Sequence, residues 1–189
     1  MPRPPVLPVL DWKAIFESGK PFEEWLEAGE HDKNREAMEQ GLAGQELEPH
    51  IEALLGALPR PVHVVAIAEG WCGDVVRHAP VLQRLAQAAP NLEVRYITRE
   101  QHKDVFVRFL TNGGEAIPKF VFLSSQWVEC GNWGPMPAAD RVLIARGKAC
   151  GDVGAARKKT GLSYQMDPGR RIVVEELVAL IHIAVSASP

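Results

Sequence analysis

Cysteine is scarce in this chain, and the few cysteines lie far apart. The 189 residues contain only Cys72, Cys130 and Cys150, and three thiols cannot all pair within one chain. This spacing argues against a disulfide scaffold of the kind that stabilises small secreted proteins. The sequence also lacks a Cys-x-x-Cys pair and any close grouping of Cys and His, the ligands of structural zinc sites. We therefore expect no bound metal and no cofactor.

An excess of positive charge and long apolar runs are lacking as well. The chain has 21 Lys and Arg against 24 Asp and Glu, so its net charge is −3, with no basic excess for nucleic acid. The most apolar stretch, residues 177–185, is far shorter than the ~20 residues of a membrane-spanning helix. Residues 1–10 contain four prolines and no apolar core of a signal peptide. These absences predict a soluble, cytoplasmic protein that binds neither nucleic acid nor membranes.

The composition is suited to a single folded unit. Hydrophobic residues make up 46% of the chain and charged residues 24%, close to the average for globular domains. Residues 1–58 carry apolar side chains at helical spacing and predict two or three helices, which we interpret as an extension packed on the core. Residues 59–189 are predicted to form the main domain, with further helices at its C-terminal end.

The main domain alternates segments of strand and helix character. Residues 62–68 form a short apolar, β-branched run that is typical of a strand buried on both faces. A helical stripe follows from residue 75, and the predicted order is β-α-β-α-β-β-α. The later predicted elements are strands at 92–98, 118–123 and 127–133 and helices at about 101–110, 138–149 and 173–184. The glycine-rich, basic segment 151–171 is expected to be flexible.

Cys72 stands between the first predicted strand and the helix that follows it. A thiol at a helix N-terminus lies near unpaired backbone N–H groups and the positive end of the helix dipole, and both favour the thiolate. Asp74 opposes this effect if its carboxylate is close to the sulfur. Cys72 is therefore the candidate reactive group, and the alternative is a buried, inert cysteine.

Residues 71–75 read Trp-Cys-Gly-Asp-Val, and Ala79-Pro80, Ile117-Pro118 and Trp133-Gly134-Pro135 follow at characteristic distances. On these residues the chain resembles the thioredoxin superfamily, in particular bacterial thioredoxin-like proteins with a Trp-Cys-Gly-Asp-Cys motif. Ala79-Pro80 looks like the family's helix-kinking pair, and Ile117-Pro118 looks like its cis-proline. The resemblance implies an α/β, thioredoxin-like fold: a central mixed sheet of about four strands flanked by helices, with additional N-terminal helices and a C-terminal helical extension.

The resemblance also implies a substrate site around the Cys72 nucleophile. The residues expected to contact the substrate are Trp71, Gly73, Asp74, Ile117, Pro118 and Trp133. Trp71 and Trp133 are expected to flank the thiol, where aromatic faces support an extended peptide. Plain packing of the two rings is the alternative interpretation.

Two positions depart from the family pattern. Val75 stands where the resolving cysteine belongs, and Ala66 occupies the position of a buried carboxylate that serves as proton acceptor in many thioredoxins. A dithiol cycle therefore lacks two of its parts. One hypothesis is monothiol disulfide exchange through Cys72 with a low-molecular-weight thiol or a partner protein. The other is a redox-inactive module that binds a peptide or protein partner.

The other polar candidates are interpreted as structural. Cys130 lies on a predicted strand and is expected to pack in the core. His78 is six residues from Cys72, too far along the helix to face it, and is expected on the surface. The charged run Arg157-Lys158-Lys159 is interpreted as a solvated cluster.

A further hypothesis makes Cys150 a distant resolving thiol for Cys72. It predicts a Cys72–Cys150 disulfide after mild oxidation, because the second thiol would displace the substrate from the mixed disulfide. Peptide mapping by mass spectrometry without reductant checks this linkage. Finding Cys72 only reduced, or capped by an external thiol, would reject the hypothesis.

Overall fold

The structure, a computed structural model, describes residues 8–29 and 31–186. Residues 1–7, which include most of the proline-rich start, lie outside the described part of the chain, as do residue 30 and residues 187–189. The strands are β1 (Val62–Ile67), β2 (Leu92–Ile97), β3 (Lys119–Leu123) and β4 (Glu129–Trp133). The helices are α1 (Trp12–Glu17), α2 (Phe22–Glu27), α3 (Asp32–Ala43), α4 (Pro49–Gly56), α5 (Gly73–Ala88), α6 (Lys103–Phe106), α7 (Ala138–Ala149), α8 (Val153–Met166) and α9 (Arg171–Ser186).

A four-stranded mixed sheet with the order β2-β1-β3-β4 forms the centre of the molecule. β1 pairs in parallel with β2 and antiparallel with β3, and β3 pairs antiparallel with β4. The two central strands are rich in β-branched and aromatic residues and are buried along almost their whole length, as expected when helices cover both faces. The sheet and the order β-α-β-α-β-β-α, with helices added at both ends, confirm the predicted fold class.

The N-terminal helices share one hydrophobic core with the sheet. The described residues form four helices here, where the sequence predicts two or three. Asp11 caps α1 by accepting the N–H of Ala14 at 3.0 Å, and Pro21 separates α1 from α2. The ring of Trp25 stacks on Tyr96 of β2 with the ring centroids 4.7 Å apart. These helices thus pack directly on the sheet, and the domain boundary at residue 58 stays a prediction.

Helix α5 follows the loop after β1 and carries Pro80 in its interior. A proline there removes one helical hydrogen bond, so tertiary packing must compensate for the loss. Gly41 of α3 lies against the proline ring, and a Cβ at Gly41 would be 3.4 Å from the Pro80 Cγ. The small residue lets α3 pack closely on α5, and this contact holds the two helices together.

The segment 151–171, expected to be flexible, is largely helical. Asp152 caps α8 by accepting the N–H of Ala155 at 2.9 Å. Helix α8 folds back on α7 at Gly147, where a Cβ would lie only 2.5 Å from the Ala156 Cβ. Packing against α7 stabilises this helix, and intrinsic helix propensity does not include such tertiary contacts. We refer to residues 138–166 as the α7–α8 hairpin.

Helix α9 confirms the predicted C-terminal helix and contains the most apolar stretch of the sequence. Its Leu177 and Ile181 are fully buried, and the helix packs on β1, β3, β4 and α5. Glu176 accepts the indole N–H of Trp133 at 2.6 Å and the backbone N–H of Ala138 at 2.9 Å, so α9 joins the end of β4 to the start of α7. Within residues 8–29 and 31–186, no helix has the length and apolar character that crossing a bilayer requires.

Gly134, directly after β4, has a φ of +116°, and a Cβ there would lie 2.1 Å from the carbonyl oxygen of Pro118. We expect Gly134→Ala to lower the free energy of unfolding by about 2–4 kcal/mol, because a side chain is strained at this φ and collides with backbone. Gly56→Ala is the matched control, since a Cβ there meets nothing within 4 Å. Urea unfolding measures both variants, and equal midpoints would contradict the prediction.

Candidate functional site

The loop after β1 places Cys72 at the start of α5. Cys72 is the N-cap residue, and its carbonyl accepts the N–H of Val76 at 2.9 Å to begin the helix. On the other side of the loop, the amide of Asn34 on α3 donates to the carbonyl of Gly70 at 2.7 Å. The loop is therefore held to α3 at Gly70, and Cys72 lies at the N-terminus of α5.

The Cys72 thiol is half-buried and donates a hydrogen bond to the carbonyl oxygen of Ile117, with an Sγ–O distance of 3.5 Å. Burial raises the pKa of this thiol above its usual value. The backbone N–H groups of Val75 and Asp74 lower the pKa, whereas the charges of Asp74 and Glu69 raise it further. The net effect is a raised pKa, so the site favours the protonated thiol over the thiolate.

Trp71, beside the thiol, is anchored although half of its side chain is exposed. Its indole N–H donates to Oε2 of Glu69 at 2.7 Å. Arg99 donates to both carboxylate oxygens of Glu69, at 3.1 and 3.2 Å, and to Glu115 at 3.0 Å. The Arg99 guanidinium also lies 5.4 Å from the centroid of the Trp71 ring. Glu69 and Arg99 thus fix the position of Trp71 next to Cys72.

A groove of about 520 Å³ opens beside the thiol, and we call it the Cys72 groove. One wall consists of residues 71, 72 and 74, and a second consists of residues 115–117. The α7–α8 hairpin closes a third side with one face of each helix. The hairpin residues that line the groove are Arg141, Ile144 and Lys148 on α7 and Val153, Arg157, Thr160, Gly161 and Tyr164 on α8. The volume lies within the range of small-molecule sites.

Polar contacts from Tyr164 connect α8 to the start of α5. The Tyr164 hydroxyl donates to Oδ1 of Asp74 at 3.5 Å and lies 3.4 Å from Nε2 of His78. Burial raises the pKa of Asp74, although the hydrogen bond from Tyr164 and the charge of Arg77 act in the opposite direction. Burial also lowers the pKa of His78 to about 3, so its ring is neutral at physiological pH. These contacts hold the hairpin over the groove.

Four of the seven site residues predicted from the sequence line this groove: Trp71, Cys72, Asp74 and Ile117. Gly73 is exposed at the first position of α5 and does not line it. Pro118 is buried, also outside the lining, and the peptide bond that joins it to Ile117 is cis. The predicted residues that line the groove are thus Trp71, Cys72 and Asp74 around Gly73, and Ile117 before Pro118.

Trp133 does not flank the thiol, contrary to the expectation for this residue. It is 2% exposed, and its ring stacks on Phe120 with centroids 5.4 Å apart. Phe120 of β3 and Trp133 of β4 are paired in the sheet, so their side chains lie on the same face. On that face His78 and Glu176 also contact the indole of Trp133. Trp133 therefore packs in the core, which is the alternative interpretation of this residue.

His78 is fully buried, so its predicted surface position is wrong. Its ring packs edge-on against Trp133 and Tyr164, because the α7–α8 hairpin covers this side of α5. All three cysteines lie in the described part of the chain and are free thiols. Cys130 on β4 is only partly buried, Cys150 is exposed at the end of α7, and neither lines the Cys72 groove.

The sequence reasoning missed the contribution of the α7–α8 hairpin to the site. The lining positions of α8 recur every three or four residues, at 153, 157, 160, 161 and 164, which is the spacing of one helix face. This face mixes apolar, polar and charged side chains, so a search for apolar periodicity does not detect it. The spacing was present in the sequence, but only the structure shows which face meets the groove.

Comparisons with known proteins agree with this architecture. The sequence profile of a thioredoxin family matches residues 19–152, starting inside the predicted N-terminal extension, whereas no curated protein matches the chain. A crystal structure of a protein of unknown function from Pseudomonas aeruginosa superposes with a TM-score of 0.71 at 19% identity, covering 92% of this chain and 98% of that one. An HIV epitope-scaffold gives 0.71 at 18% identity with the same coverage. Such identities show the fold alone, and the family match covers more than half of the chain. The chain belongs to the thioredoxin family and has a thioredoxin-like fold.

Proposed function

We propose that the protein carries out monothiol disulfide exchange through Cys72, on a low-molecular-weight disulfide or a protein disulfide bound in the Cys72 groove. The observation that carries the proposal is the position of Sγ, which lines the groove at the start of α5 next to the Ile117 carbonyl. A substrate that reaches the sulfur also meets the anchored ring of Trp71. We place this activity in the cytoplasm, where free thiols remain reduced.

The exchange uses one thiol of the protein and one external thiol. The Cys72 thiolate attacks a sulfur of the bound disulfide R–S–S–R′, forms Cys72–S–S–R and releases R′–S⁻. An external thiolate R″–S⁻ then attacks the mixed disulfide, releases R–S–S–R″ and restores the Cys72 thiolate. No intramolecular step is included, because Val75 occupies the resolving position and is fully buried.

The small thiolate fraction of Cys72 slows this exchange near neutral pH. Burial raises the pKa of Cys72, and the charges of Asp74 and Glu69 contribute in the same direction, so few molecules carry the thiolate at neutral pH. A thiolate of high pKa is the stronger nucleophile once it forms. We therefore expect slow exchange near neutral pH that accelerates as the pH rises, with a midpoint above that of an ordinary cysteine.

A redox-inactive module that binds a peptide or protein partner is the second candidate. The raised pKa of Cys72 favours it, because a protonated thiol contributes a hydrogen bond but no nucleophile. Trp71 would then supply the aromatic binding surface, held in place by Glu69. In this function the thiol only donates to the Ile117 carbonyl.

Incubation with excess glutathione disulfide at about pH 7 and about pH 9 tests the exchange. We expect one glutathione adduct on Cys72, formed faster at the higher pH because more of the thiol is ionised, and none at this position in Cys72→Ser. Peptide mapping by mass spectrometry measures the adduct. Cys130→Ser is the control, because Cys130 lies outside the groove.

The absence of a Cys72 adduct at both pH values would reject the exchange. Recovery of the same partner in the same amount by wild type and Cys72→Ser, together with that absence, would favour the binding module.

Asp74→Asn tests the electrostatic contribution to the thiol pKa. Removing the carboxylate charge should lower the pKa of Cys72 and speed its alkylation by iodoacetamide at about pH 7 roughly threefold. The rate of Cys72 modification as a function of pH is the measurement. Asp104→Asn on α6 is the control, since Asp104 does not line the groove. Identical pH profiles for Asp74→Asn and wild type would contradict a charge effect at Cys72.

A further inference from the structure

The α7–α8 hairpin supplies the Cys72 groove with positive charge. Arg141 and Lys148 on α7 and Arg157 on α8 line it. In residues 8–29 and 31–186, none of the three forms an ion pair with a carboxylate. Arg141 donates to the backbone carbonyls of Gly134 and Met136, at 3.2 and 3.3 Å, which holds its side chain in place. Lys148 and Arg157 therefore remain available to an anionic ligand.

The carboxylates of the groove are engaged with other partners. Glu115 pairs with Arg99 at 3.0 Å, and Arg99 is also bound to Glu69. Asp74 accepts the hydroxyl hydrogen bond of Tyr164 at 3.5 Å. Neither carboxylate forms a salt bridge with the cations of the hairpin. The charge at the hairpin wall is consequently positive.

This local charge is opposite in sign to that of the whole protein. The chain carries a net charge of −3, which repels anions and attracts cations at long range. A preference of the groove for anions would therefore come from the local cations of the hairpin. The net charge of the protein would instead favour cationic ligands. An experiment that compares anionic and cationic ligands therefore distinguishes the local charge of the hairpin from the net charge.

The remaining lining limits the size and character of the ligand. Ile144, Val153 and Met136 place apolar surface next to Lys148 and Arg157. A groove of about 520 Å³ that is closed on one side by a helical hairpin suits a small molecule. The combination fits short aliphatic chains that end in negatively charged groups.

We infer that the ligand of the Cys72 groove is a small disulfide whose aliphatic arms end in carboxylates, bound with its sulfur atoms at Cys72 and a carboxylate at Lys148 and Arg157. The inference rests on the proposed exchange function and names its substrate class. Attack by the Cys72 thiolate leaves one carboxylate-bearing half on the protein as a mixed disulfide and releases the other half as a thiolate.

Three disulfides of similar length but different charge test the inference. Dithiodipropionate carries two negative charges, bis(2-hydroxyethyl) disulfide is neutral, and cystamine carries two positive charges. At low ionic strength we expect Cys72 to react with the anionic disulfide roughly tenfold faster than with the cationic one, with the neutral one between them. Added salt should reduce the difference, because it screens charges at the protein surface. Time-resolved peptide mapping measures the adduct on Cys72.

Charge-removing variants locate the origin of this preference. Lys148→Gln and Arg157→Gln should each slow the reaction with dithiodipropionate severalfold and reduce the ratio of its rate to that of the neutral disulfide. Lys159→Gln is the matched control, because Lys159 lies on the same helix, is exposed and does not line the groove. An equal effect of Lys159→Gln would assign the preference to the general charge of α8 and overturn the inference.

The outcomes separate the inference from the proposed function. Equal rates for the three disulfides, or faster reaction with cystamine, overturn the anionic substrate while the exchange stands. If no disulfide reacts with Cys72, the proposed exchange is rejected. The charge preference is then measured through noncovalent binding of the same disulfides to Cys72→Ser. Dithiodipropionate, but not cystamine, should then shift the NMR signal of the Trp71 indole N–H. Absence of that shift would overturn the preference for an anionic ligand even if the protein is a binding module.

Discussion

Pairing of β1 along both of its edges is the constraint on which the site depends. β1 runs parallel to β2 and antiparallel to β3, so Ile67 at its end is the register partner of both Ile97 and Lys119. The loops next to Ile67, Ile97 and Lys119 therefore meet at the same end of the strands. They bring Cys72 close to Ile117, 45 residues further along the chain. The geometry around the thiol is therefore a consequence of strand order rather than of a local motif.

Two opposing effects meet at the sulfur of Cys72. The start of α5 directs backbone N–H groups toward it and favours the thiolate, whereas burial and two nearby carboxylates favour the protonated thiol. Burial is the largest of these contributions. Val75 and Ala66 are both fully buried, so the interior beneath the site is apolar at the two positions where the family supplies a second thiol and a proton acceptor. The thiol lines a groove, and no second thiol lies at position 75 beneath it.

The α7–α8 hairpin changes the surroundings of the thiol. It lies between the last strand and α9 in the chain, and it folds on itself because Gly147 allows α8 to approach α7 closely. Tyr164 connects the hairpin to Asp74, and the facing sides of both helices complete the groove. The size of the groove and its positive wall thus depend on residues outside the motif.

The sequence alone determined most of the elements and the position of Cys72 between a buried strand and a helix, because apolar periodicity and the residues at element ends act locally. It identified β1, α5 and α9 correctly but did not detect α8, whose stability depends on contact with α7. Only the tertiary structure decided that Trp133 faces the core, that His78 is buried and that Arg157 lines the groove. These outcomes depend on strand register and on contacts across long stretches of chain. His78 and Tyr164 are 86 residues apart in sequence, and no local pattern records their contact.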